Sequence, residues 1–131
     1  MTTLVTGVAG FIGYHVARRL IGRGDKVVGI DNLNSYYDPK LKEHRLAELR
    51  KLNAGEFRFE RVDFADHEAL DRAVVGTDFD RIVHLGAQAG VRYSIDNPRA
   101  YASANLVGHL NMLELARRRQ SSHLVFASSS S

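Results

Sequence analysis

The 131-residue chain has no cysteine. That absence excludes a disulfide framework and thiolate metal sites, and it makes the cytosol the default compartment. Its six histidines are scattered, with no pair at ligand spacing on a common helix, so no metal site is expected. No apolar run approaches the length of a bilayer span, and the residues after Met1 enter a strand-like run without the basic head of a signal peptide. A membrane segment is therefore not expected. Sustained Lys/Arg runs are also absent, despite a formal net charge of +3. The densest cluster, Arg117 to Arg119, falls where a helix should end and complements the helix dipole, so nucleic acid is not an expected partner. Repeats and low-complexity tracts are missing apart from the run Ser128 to Ser131.

What remains is the composition of a soluble globule, 44% hydrophobic and 25% charged, at a length that admits one domain over residues 1–131 but no second of ordinary size. Short β-branched or apolar runs alternate with longer helical stretches, the pattern of βαβ units in a parallel sheet. Strands are expected at Thr3 to Thr6, Lys26 to Ile30, Phe57 to Val62, Arg81 to Leu85 and His123 to Ala127. Helices are expected at Phe11 to Arg23, from Pro39 or Lys40 to Leu52, from an Asp66 cap to Val75, and at Pro98 to Arg118 behind an Asn97 cap. In the first, Ile12, Val16 and Leu20 share an apolar stripe with Gly13, Ala17 and Ile21; in the second, Leu41, Leu46, Leu49 and Leu52 form a looser one. Right-handed crossovers place the strands in the order 3-2-1-4-5, a doubly wound Rossmann-type α/β fold whose ligands bind at the switch point between strands one and four.

The loop after the first strand, Thr6-Gly7-Val8-Ala9-Gly10-Phe11-Ile12-Gly13, opens directly into a helix. Glycines there permit a tight turn, close approach of a pyrophosphate and close helix packing, while the helix N-terminus presents free N–H groups to phosphate. Phe11 and Ile12 lie within the same loop. Asp31 ends the second strand, about eighteen residues beyond Gly13, where a carboxylate can accept from an adenosine ribose. Its charge opposes a 2′-phosphate and so favours NAD over NADP. Asp63 and Phe64, ending the third strand, could reach the adenine, although a turn-forming role for Asp63 reads equally well.

These segments together resemble the extended short-chain dehydrogenase/reductase family: the glycine loop, Asp31-Asn32-Leu33-Asn34, His84-Leu85-Gly86-Ala87-Gln88-Ala89-Gly90-Val91-Arg92, and Ala127 to Ser131. Within it, Asn34-Ser35-Tyr36-Tyr37-Asp38 and Gln88 to Ser94 resemble the UDP-glucuronate 4-epimerases. The resemblance implies a nucleotide-sugar isomerase that interconverts UDP-glucuronate and UDP-galacturonate, with hydride leaving sugar carbon 4 for NAD and returning to the other face of a 4-keto intermediate. It further implies that Asn32 and Asn34 belong to the cofactor loop, and that Leu85, Gly86 and Ala87 pack on the cofactor. An alanine is the expected residue where Gly86 stands. Gln88, Arg92, Tyr93 and Ser94 fall in the substrate-facing loop, Arg92 being suited to a carboxylate or phosphate. Asn105, in a partly buried setting between Ala104 and Leu106, helps hold the loops. Ser129 matches a catalytic serine that bonds the reacting hydroxyl, and Ser131 a further hydroxyl of the substrate pocket.

The resemblance also implies a Tyr-x-x-x-Lys pair beyond the fifth strand and a substrate-capping domain, neither of which follows Ser129 here. The chain is thus expected to be the N-terminal cofactor half of a longer enzyme, inactive alone, with the long helix from Pro98 building a homodimer in the whole protein. Another nucleotide-sugar epimerase, dehydratase or decarboxylase is the alternative within the fold. A non-catalytic NAD-binding module is the alternative outside enzymology.

Overall fold

The computed structural model describes residues 1–129. Five parallel strands, β1 (Thr2–Thr6), β2 (Lys26–Asp31), β3 (Glu56–Arg61), β4 (Arg81–His84) and β5 (His123–Phe126), form one sheet in the order β3-β2-β1-β4-β5. Because all run the same way, their C-terminal ends gather at one edge. There Thr6 pairs in register with Ile30 on one side and His84 on the other, and Asp31 lies beside Arg61.

Helices cover both faces, so that successive residues of β1 and β2, which point to opposite faces, are buried alike. On one face Val5 and Val27 pack with Ala17 and Ile21 of α1 (Phe11–Gly22) and with Leu46 and Leu49 of α2 (Pro39–Arg50). On the other, Leu4, Val28, Ile30 and Ile82 pack with Leu70 and Val74 of α3 (His67–Val74) and with Met112 and Leu115. Caps appear where the side chains allow them. Asp38 accepts from Lys40 N at 2.9 Å with Pro39 opening α2, and Asp66 accepts from Ala69 N at 3.1 Å.

Three expectations need correction. The stretch Pro98 to Arg118 is not one α-helix: α5 (Pro98–Tyr101) runs into a π-helical segment (Ala102–Val107) and then α6 (Gly108–Arg118), and a separate short helix, α4 (Val91–Asp96), precedes it. Asn97 still caps α5, accepting from Ala100 N at 3.3 Å. In α1 the buried line is Gly13, Ala17 and Ile21, whereas Ile12 is 60% exposed, because the glycine line lets the helix approach β1 closely. In α2 the buried line is Lys42, Leu46 and Leu49, with Leu41 turned to solvent.

Candidate functional site

The glycine turn lies at the end of β1. Gly7 has φ of 67°, a left-handed conformation that favours glycine, and a Cβ there would come within 2.8 Å of Gly86 N. Gly10 N donates to Gly7 O at 2.9 Å, closing the turn. Gly13 serves packing instead of the turn: a Cβ on it would overlap the Gly7 carbonyl oxygen. Helix α1 then begins without any side-chain cap, and its first turn holds no acidic residue. Its positive end is thus left for an external anion.

Asp31 faces this turn from β2. Its Oδ2 accepts from Ala9 N at 3.1 Å and its Oδ1 from Leu33 N at 2.9 Å, so each carboxylate oxygen is oriented by a backbone amide and retains a lone pair. Leu33 takes the left-handed φ of 54° to make this bond. The loop continues through Asn32 Oδ1, which accepts from Asn34 N at 3.2 Å. It is braced from α2 by Lys42, whose Nζ donates to the Asn34 carbonyl at 3.3 Å and to Asn34 Oδ1 at 3.2 Å. Arg45 donates to the Ala9 carbonyl at 2.9 Å. Neither cation is a site candidate from the sequence alone. The signal was present in the register of Leu46 and Leu49, which makes position 42 the preceding member of the inward line.

Across the switch point, Thr6 Oγ1 accepts from Leu85 N at 3.1 Å and Gly86 N at 2.9 Å, and lies 2.6 Å from His84 Nδ1. Burial, and then the nearby His109, lower the His84 pKa from 6.5 to about 4. Phe64 packs edge-on to His84, and a Cβ on Gly86 would press on the Phe64 ring, which explains glycine where alanine was expected. Asn111 of α6 holds the loop after β3 by donating to the carbonyls of Phe64 (2.9 Å) and Ala65 (3.1 Å). Asp63 Oδ1 accepts from Ala65 N at 2.9 Å, so the turn-forming role is occupied.

Asn105 is exposed, contrary to the expected partial burial. It nevertheless holds the loop from the π-helical segment: Oδ1 accepts from Gln88 N at 2.9 Å, and Nδ2 donates to the Gln88 carbonyl at 3.1 Å. Nearby, Tyr36 meets Tyr93 at 4.9 Å between ring centroids, and the Tyr101 hydroxyl donates to the carbonyls of Ala89 (2.7 Å) and Gly90. These aromatics bridge the loop after β2 to the segment after β4. Desolvation first, and then Tyr36 and Tyr93, raise the Tyr101 pKa above its ordinary value.

A cleft of about 650 Å³ opens among these loops, within the range of small-molecule sites. Its walls bring together Gly7, Gly10, Phe11, Asp31, Asn32, Asn34, Asp63, Phe64, Leu85, Gly86, Ala87, Gln88 and Tyr93, and add Lys42 and Arg45. Gly13 sits behind the wall, Ile12 faces outward, and Asn105 acts through Gln88. Arg92 is exposed on α4, and the Ser94 hydroxyl donates within that helix to the Val91 carbonyl. Ser129 is exposed three residues beyond β5, at the edge of the sheet that carries the glycine turn. Ser131 lies outside the described residues. The literal spacing Tyr-x-x-x-Lys does occur at Tyr36 and Lys40, but it spans the loop after β2 and the first turn of α2, with no place after β5. No group of three or more metal-ligating side chains occurs among the described residues.

A parallel sheet of this order, with a glycine turn and an uncapped helix at its switch point, defines a Rossmann-type α/β domain. The chain belongs to the GDP-mannose 4,6 dehydratase family, whose sequence profile it matches over residues 4–131. It is 53% identical over all of its length to a probable UDP-glucuronate 4-epimerase of Rhizobium meliloti, of which it spans 38%. It is similar to the Thermus thermophilus UDP-glucose 4-epimerase in complex with NAD, at 36% identity and a TM-score of 0.79 over 98% of this chain and 38% of that one. A Bacillus cereus UDP-glucuronic acid 4-epimerase variant, with NAD and a fluorinated UDP-sugar, matches at 31% identity and a TM-score of 0.84, over 100% of this chain and 41% of that one. The chain thus spans well under half the length of these relatives.

Proposed function

We propose that residues 1–131 are the N-terminal, NAD-binding part of a nucleotide-sugar 4-epimerase acting on UDP-glucuronate and UDP-galacturonate. The observation that carries this reading is the meeting, in one cleft, of the uncapped α1 terminus and its glycine turn with the amide-oriented Asp31 carboxylate. The first fits a pyrophosphate and the second a ribose diol, the two polar groups of an adenosine-containing dinucleotide. The UDP-glucuronate branch is supported by the relatives in that branch and by Gln88 to Ser94.

In this reading Gly7, Gly10 and the amides of Phe11 and Ile12 hold the pyrophosphate, with Gly13 keeping the helix in place. Asp31, Asn32 and Asn34 take the adenosine ribose side, Asp63 and Phe64 the adenine. Leu85, Gly86 and Ala87 form the apolar wall, and Asn105 keeps Gln88 in position. When bound, NAD supplies reversible acceptance of hydride from sugar carbon 4. Gln88, Arg92, Tyr93 and Ser94 face the sugar nucleotide, with Arg92 pairing to its carboxylate or phosphate. Ser129 orients the reacting hydroxyl beside a tyrosine and lysine carried by the rest of the protein, and Ser131 adds a further hydroxyl.

Leu106, Val107, Leu110 and Leu113 are exposed on the π-helical segment and α6, an apolar patch that suits a homodimer. No helix of the described residues is long and apolar enough to cross a membrane. A cytoplasmic enzyme without nucleic-acid or membrane partners is the reading consistent with the composition. The test is calorimetric titration of the full-length protein with NAD, followed by chromatography of products from UDP-glucuronate and UDP-glucose. NAD binding with selective conversion of UDP-glucuronate is expected. Selective conversion of UDP-glucose would move the enzyme to the sister activity, and absence of NAD binding would overturn the cofactor assignment.

A further inference from the structure

Thr6 and His84 are both buried, stand side by side on adjacent strands, and are 78 positions apart in the chain. A threonine hydroxyl has one proton and two lone pairs. At Thr6 both lone pairs are taken, by Leu85 N at 3.1 Å and Gly86 N at 2.9 Å. The single proton is left for the nearest remaining acceptor, His84 Nδ1 at 2.6 Å. That bond exists only if Nδ1 is bare, which puts the ring proton on Nε2 and keeps the imidazole neutral. A protonated ring would set an N–H against the hydroxyl proton, and Thr6 could then serve only one of the two amides.

We propose that His84 is a positioning residue: as the neutral Nε2–H tautomer it orients the Thr6 hydroxyl, which pins the Leu85 and Gly86 amides and so fixes the cleft wall against the glycine turn. The wall and the turn are in direct apposition, since a Cβ on Gly7 would lie 2.8 Å from Gly86 N and 3.0 Å from the Leu85 carbonyl carbon. A slip at Leu85 or Gly86 therefore moves the surface that Gly7 presents to the cleft. The surroundings of His84 favour its neutral form. Phe64 packs edge-on to the ring at 5.0 Å, and His109 of α6 lies 5.3 Å away, itself covered by Phe126. The lowered pKa of His84 agrees with that setting. The consequence for cofactor affinity rests on the proposal that the cleft holds NAD; the tautomer and the pinned amides do not.

The experiment uses the full-length protein in three measurements. Nitrogen-15 histidine NMR at neutral pH, with the His84 signals identified by their loss in His84→Asn, should show a bare Nδ1 and a protonated Nε2. Amide exchange without cofactor should show Leu85 and Gly86 protected in the wild type and unprotected in Thr6→Val and His84→Phe. Protection should return in Thr6→Ser, which keeps the hydroxyl, and in His84→Asn, whose Oδ1 replaces Nδ1 as acceptor. Calorimetry should find NAD affinity reduced roughly tenfold in Thr6→Val and His84→Phe, the scale of one lost hydrogen bond, and within roughly threefold of wild type in the two conservative variants. A protonated Nδ1, or unchanged protection of both amides in His84→Phe, would overturn the hydrogen-bond chain. Lost protection with unchanged NAD affinity would overturn the positioning role while leaving the cofactor assignment intact. Failure of the wild type to bind NAD would overturn the cofactor consequence, with the first two measurements still deciding the rest.

Discussion

Replacing Asp31 by alanine should cost fold stability as well as cofactor affinity, and the structure sets the scale. The carboxylate accepts from Ala9 N and Leu33 N, at 3.1 and 2.9 Å, and both donors belong to buried residues. Hydrogen bonds to a charged group contribute about 1.5 to 3 kcal/mol each, and truncating the acceptor leaves both amides unpaired. Asp31→Ala should therefore destabilise the protein by about 3 to 6 kcal/mol, a sizeable share of a domain's roughly 5 to 15 kcal/mol. Asp31→Asn keeps one acceptor oxygen and should fall between alanine and wild type. Urea unfolding of the full-length protein without cofactor measures this directly, by the shift of the midpoint at constant slope. NAD titration at a temperature where the variants remain folded then reports the ribose contact separately. A loss below about 1 kcal/mol for Asp31→Ala would refute the claim that the two amides orient this carboxylate.

His84 gives a pH signature. Its folded pKa of about 4 lies below the ordinary 6.5, so the unfolded chain binds more protons between those values. Stability should be full above about pH 6.5 and fall by up to about 3 kcal/mol as pH drops toward 4. Thr6, Phe64 and His109 are the groups that face the ring, and His84→Asn should flatten this part of the profile; parallel profiles would contradict the assignment. Gly10→Val should abolish NAD binding, since even a Cβ would sit 3.1 Å from the Gly7 carbonyl oxygen and the added methyls would fill the phosphate approach; calorimetry with unchanged affinity would remove the turn from the site. Asn105→Ala frees both backbone groups of Gln88 and should raise amide exchange there, whereas equal protection would assign Gln88 another anchor. In the complete enzyme, Ser129→Ala should lower turnover more than it weakens nucleotide binding, and an effect on KM alone would argue against a role in the chemical step.

Much of the scaffold was legible because parallel strands between helices leave a strong local trace. β1 and β2 were expected within a residue of their observed limits, since Val, Ile and Leu runs end at Gly7 and Asp31 where the backbone must turn. The caps Asp66 and Asn97 were readable for a similar reason, their side chains bonding amides only three residues ahead. The π-helical segment was not legible: Ala102 to Val107 carries residues that suit an α-helix equally well. Nor could Thr6 and His84 be paired from the sequence, because strand register brings them together. Lys42 was missed because a lysine on a charged helix reads as solvated, yet Asn34 folds back to receive its ammonium group. A cleft does lie at the switch point between β1 and β4 that the strand order defines, while the tyrosine bridge over it arises only from tertiary packing.

A dinucleotide that takes hydride from a sugar and gives it back leaves an isotopic trace in the product. Full-length protein would be incubated with UDP-glucuronate deuterated at carbon 4, and the product examined by NMR and mass spectrometry. Hydride return through NAD predicts UDP-galacturonate that keeps its deuterium at carbon 4, with no net consumption of NAD. Absence of that product, or deuterium washed out to solvent, would contradict it.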